Sequence, residues 1–86
     1  MTIETWIHLG TNQLMYTTYI VRVYSHEERW VELGEFKDFS DASTFYDECL
    51  ELERMKPYEI GEIIRRDIDV NDSDYVVDHV LYRMSV

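Results

Sequence analysis

One cysteine, one proline and three glycines are all that this 86-residue chain holds of the residue types that staple, break or bend a backbone. A single thiol, Cys49, excludes an internal disulfide and points to a reducing compartment. With so little proline and glycine there is no obvious linker, and no internal repeat interrupts the chain, so a single domain spanning 1–86 is expected. No apolar run approaches the roughly 20 residues of a membrane span. The N-terminal MTIETWIHLG has no basic region ahead of an apolar one, so no signal peptide is expected and a cytoplasmic protein follows. Met15 offers an alternative start that would make the first strand dispensable. Catalytic signatures are missing too. There is no Gly-rich phosphate loop and no nucleophile elbow, and His8, His26 and His79 match no zinc spacing. The chain is therefore not expected to be an enzyme or to hold a cofactor.

What the chain has in excess is acid. Its formal net charge is −10, and 17 of its 18 carboxylates fall between Glu27 and Asp78. Seven of the eight Lys and Arg residues share that stretch and the tail after it, so the imbalance (17 − 7 = 10) belongs there. Self-repulsion on this scale opposes compaction and serves solubility, cation binding or attraction of a basic partner. It also opposes direct contact with nucleic acid or anionic lipid. With 45% hydrophobic residues and 14% aromatics, the chain is too apolar for a disordered acidic tail.

The pattern of residues reads as α+β. Ile3, Thr5, Ile7 and Leu9 alternate with their neighbours, Gly10 to Gln13 reads as a turn, and residues 14–24 are rich in β-branched and aromatic types. Ser25 to Glu28 is a polar break, and an extended pattern resumes from Trp30 to Phe36, giving two hairpins. Ser40 is expected to cap a helix whose apolar stripe is Ala42, Phe45, Cys49 and Leu52 with Tyr46 beside it, ending near Lys56 before Pro57. Residues 58–70 fit a strand or a helix, and their isoleucines and Gly61 favour the strand. Asn71 to Asp74 reads as a turn, and Val76, Val80, Tyr82, Met84 and Val86 as one alternating face of a last strand. The expected architecture is an antiparallel sheet of four to five strands with one main helix packed on one face.

Three constellations invite a functional reading. Asp67, Asp69, Asn71 and Asp78 sit at the spacing of an EF-hand calcium loop, but Asp72 stands where that loop needs glycine, so a solvated acidic turn is the expectation and no metal site is assigned. Tyr16, Tyr19, Tyr24, Trp30, Tyr46, Tyr58, Tyr75 and Tyr82 exceed what a small core needs and suggest either a partner or self-association patch on the uncovered sheet face or rings that cover the core edge with their hydroxyls in water. Cys49 lies on the apolar stripe near Asp47, Glu48 and Glu51, which suits a packed core thiol rather than a nucleophile. The third constellation is the acids. Asp47, Glu48 and Glu51 share one helix face at roughly 5–6 Å separation. Asp67 with Asp69, and Asp72 with Asp74, are two apart on extended backbone. Such rows can stand in for phosphates before a groove lined with Lys and Arg.

In size, acidity and compact α+β pattern the chain resembles small phage or mobile-element inhibitors: anti-CRISPR and anti-restriction proteins, some of them DNA mimics, and acidic immunity proteins. The resemblance implies a non-enzymatic inhibitor of a basic nucleic-acid-binding protein, a CRISPR effector or restriction component. The contact residues expected are Asp47, Glu48, Glu51, Asp67, Asp69, Asp72 and Asp74. The alternatives are a self-associating module, with a homodimer compatible with either reading, and a calcium-responsive domain.

Overall fold

Gln13–Ser25, the long β-branched and aromatic run, is the strand on which the other elements assemble. The computed structural model describes residues 5–8 and 13–85, with side chains from Leu14 to Ser85. The elements are β1 (Thr5–His8), β2 (Gln13–Ser25), β3 (Arg29–Phe36), α1 (Phe39–Glu51), β4 (Ile60–Asp69) and β5 (Val76–Ser85). One edge of β2 carries β1 along its first residues and β3 along its last. The other edge pairs with β4 from Met15↔Asp69 to Tyr24↔Ile60, and β5 lies outside β4. Every pairing is antiparallel. The fold is α+β, as the sequence pattern predicts, and residues 60–69 are a strand. Of the Gly10–Gln13 turn, Gln13 opens β2 and the rest lies outside the described residues.

One layer of core lies between α1 and the sheet. Val21, Val23 and Ile63 from the strands meet Ala42, Tyr46 and Cys49 from the helix and Met55 from the following turns. Gly61 is the point of closest approach, where a Cβ would stand 2.7 Å from the Tyr46 hydroxyl oxygen.

The helix differs from its expected bounds at both ends. It begins at Phe39, with Asp38 in the capping position but its side chain accepting no cap hydrogen bond, while Ser40 lies inside and its carbonyl accepts a bond from Thr44 Oγ1. It stops at Glu51 because Glu53 turns left-handed (φ 55°). The Glu53 N–H then reaches the Leu50 carbonyl and the Arg54 N–H the Cys49 carbonyl, the paired bonds of a Schellman end. Leu52 consequently leaves the apolar stripe and is 64% exposed.

The alternation expected along the last strand is also broken. Ile64 pairs with Val80 and Ile63 with Tyr82, so Leu81 is an extra residue that switches faces. Val76 and Val80 share the face turned away from the helix. Tyr82 and Met84 face the helix side, where the Tyr82 ring packs edge-on against Tyr46 at 5.4 Å.

Candidate functional site

Among the described residues the face away from α1 carries no second layer, yet Ile20 and Ile64, which pair there, are fully buried. Charged side chains provide the cover. Glu62, itself 0% exposed, accepts from Arg22 on β2 (2.9 Å) and from Arg83 on β5. Arg66 holds Asp78 through two bonds of 2.9 and 3.1 Å and reaches Glu32 on β3 at 3.0 Å. Glu32 lies opposite Arg22, so the Arg66 stem must cross the Ile20–Ile64 row to meet it. Arg22 in turn stacks over Trp30 at 4.2 Å. The aromatic rings therefore do not make this face a continuous apolar patch. Tyr16, Tyr24 and Trp30 lie toward its two ends, Tyr19, Tyr46 and Tyr82 are on the helix side, and the centre is ionic. Hydrogen bonding to Asp78 raises the Arg66 pKa, and the same bonds hold the Asp78 carboxyl below the ordinary carboxylate range.

The seven expected contact acids separate into two kinds. Asp47, Glu48 and Glu51 are exposed on the outer face of α1 with Asp41, and Asp72 and Asp74 are exposed in the β4–β5 turn. Asp67 and Asp69 point inward. Asp67 is 0% exposed, accepting from Thr17 Oγ1 at 2.8 Å and Arg65 Nη2 at 3.1 Å, with His79 Nε2 at 3.4 Å. Asp69 folds the turn by accepting the N–H groups of Asn71 and Asp72. The exposed acids do not form one surface either. Tyr46 on the helix packs at Gly61, whereas the turn follows Asp69. Eight residue steps along the strand, roughly 26 Å, separate those two points.

The calcium spacing is dismantled by the same geometry. Asp78 lies opposite Arg66 on the face away from the helix, and Asp67, its pairing neighbour's successor, points to the other side. Their carboxylates cannot close on one ion, and each is already engaged by an arginine. Cys49 is 2% exposed in the core, where burial pushes its thiol pKa up, away from nucleophilic character. His26 sits apart, exposed near Glu59 in the β2–β3 region.

The chain matches no family model, no characterised protein and no solved structure.

Arg22, Arg65, Arg66 and Arg83 are spent on ion pairs within the sheet, and Lys56 on Glu53. The helix itself contains four acids and no base. Among the described residues, Asp41, Asp47, Glu48 and Glu51 make no ion pair, and they span about 15 Å of helix rise, one charge per roughly 5 Å. That is a sparser row than one DNA strand, at about 3.4 Å per charge. Asp41, in the first turn, is favoured by the macrodipole, whereas Asp47, Glu48 and Glu51 crowd the C-terminal end, where it opposes them. The spacing of the sequence identifies these three acids. The buried Glu62 network it does not, because nothing local marks which acids share a sheet row with arginines. No helix among the described residues is long and apolar enough to cross a membrane.

Proposed function

We propose that the protein is a non-enzymatic, cytoplasmic inhibitor that lays the carboxylate face of α1 on a basic nucleic-acid-binding protein, of the CRISPR-effector or restriction class. One observation carries this reading. Among the described residues Asp47, Glu48 and Glu51 have no ion partner; they repel one another at three- and four-residue spacing and stand against the helix dipole. A helix shaped for stability alone would place Lys or Arg in that turn. The arrangement suits a face that gains its compensation from outside the chain. Asp72 and Asp74 offer a second, remote contact for a partner long enough to span the sheet.

In this reading the acids steer encounter with a groove that ordinarily holds phosphates, while direct binding of nucleic acid or of anionic membrane is disfavoured. Capture from nuclease-treated lysate tests it. Immobilised wild-type protein should retain a basic nucleic-acid-binding protein in a salt-sensitive manner, and the Asp47→Lys/Glu48→Lys/Glu51→Lys variant should not. Equal retention by both would reduce the helix acids to a solubility device.

A further inference from the structure

β5 is the outer strand of the sheet, ten residues long, and among the described residues nothing pairs with its free side. α1 lies over β2, β3 and β4 and does not approach the β5 backbone. Val76, Val80, Leu81 and Tyr82 are consequently 42–48% exposed. Of the devices that blunt an exposed edge, the strand lacks lysine and proline and carries the Leu81 bulge and the charges of Asp78 and Arg83.

Its charges are arranged with two-fold complementarity. The ion-paired row Arg22–Glu62–Arg83 reaches the edge on a positive group, and the row that ends in Arg66–Asp78, with Arg66 also reaching across to Glu32, meets it on a negative one. In a regular strand Asp78 and Arg83, five residues apart, would point to opposite faces. The extra residue Leu81 brings them to the same face, opposite Arg66 and Glu62 respectively. A two-fold axis between Val80 and Leu81, perpendicular to the sheet, would pair β5 antiparallel with itself. Asp78 would then meet Arg83 of the second copy, and His79 would meet Tyr82 of the second copy. The two charge rows would run on across the junction with alternating sign. We infer that β5 is a homodimerisation edge, joining two copies into one continuous sheet with both helices on the same side. This inference is independent of what α1 binds.

Sedimentation equilibrium over a concentration series tests it, with Val80→Lys and Val80→Glu made separately and their folding checked by circular dichroism. Wild type should pass from monomer to dimer as concentration rises. The dimer should strengthen with added salt, because each copy carries a net charge of −10. This is the reverse of the salt response expected for a basic partner, so the two proposals fail separately. Each variant places like charges beside the axis and should remain monomeric where wild type is dimeric. An equimolar mixture of the two should dimerise again. Should either variant fold poorly, hydrogen exchange on wild type supplies the same test, as amides of residues 76–85 should gain protection with concentration. A wild type that stays monomeric throughout overturns the inference and leaves the edge to a strand of another chain. So does Val80→Lys dimerising like wild type, or a mixture that remains monomeric.

Discussion

The Tyr46 hydroxyl is buried with no hydrogen-bond partner among the described residues and is pressed against Gly61, while its ring packs edge-on against the Tyr82 ring. An unpaired buried hydroxyl costs about 1–3 kcal/mol, so Tyr46→Phe should raise stability by about 1 kcal/mol. Gly61→Ala should lower it by about 1–3 kcal/mol through the forced displacement of that ring, and chemical denaturation of both variants checks the pair. In the combined variant the Gly61→Ala cost should shrink, because the atom nearest the new Cβ is gone. A second residue governs the acid limb. Asp78 has its pKa lowered chiefly by the Arg66 hydrogen bonds, so the folded state keeps the carboxylate charged where the unfolded chain takes up a proton. The resulting stability is complete above the ordinary carboxylate pKa of about 4 and is lost as pH falls through the lower folded value. Thermal melts from neutral pH down into that range should show Asp78→Asn less stable than wild type at neutral pH. The gap should close on acidification, and a constant gap would mean that the Arg66 pair contributes nothing to the pH dependence.

At the scale of elements, the helix end shows what a sequence conceals. The Schellman geometry at Glu53 is usually signalled by glycine; here a glutamate adopts φ 55° and gives no signal, so reading on to Pro57 places the end five residues late. Glu53→Gly should relieve a left-handed strain of about 1 kcal/mol and raise the melting temperature. An unchanged or lowered value would mean that the Lys56 ion pair and the entropy of the new glycine outweigh the relief. β4 was legible from its isoleucines, and α1 from its apolar stripe and acidic outer face. The bulge at Leu81 was not, because period-two counting assumes an unbroken ladder and cannot register an extra residue. For the same reason Asp67 and Asp69 resembled surface acids. Alternation divides residues between two faces without revealing that a carboxylate will be enclosed by Thr17, Arg65 and His79, or will tie a turn through Asn71 and Asp72.

Across the whole molecule, charge is partitioned by location. The sheet neutralises itself: on the face away from the helix, Arg22, Arg66 and Arg83 balance Glu32, Glu62 and Asp78, and they shield Ile20 and Ile64 in place of a second layer. The helix keeps four acids with nothing to oppose them within it. A molecule 41 × 26 × 18 Å in extent thus presents one strongly acidic side, one internally balanced face and one exposed strand edge of mixed apolar and charged residues. The acidic side is the surface proposed to meet a basic nucleic-acid-binding protein. The most direct test is stopped-flow association of the captured target with wild type and with Asp47→Lys/Glu48→Lys/Glu51→Lys across a salt series. The triple variant should stay folded, with a melting temperature equal to or above that of wild type, because it removes repulsion and a dipole mismatch. Its association should be slow at low salt, and wild type should slow toward the same rate as salt screens the field over a Debye length of about 8 Å at physiological ionic strength. Equal association rates for the two proteins at low salt, with the variant still inhibiting, would contradict the claim.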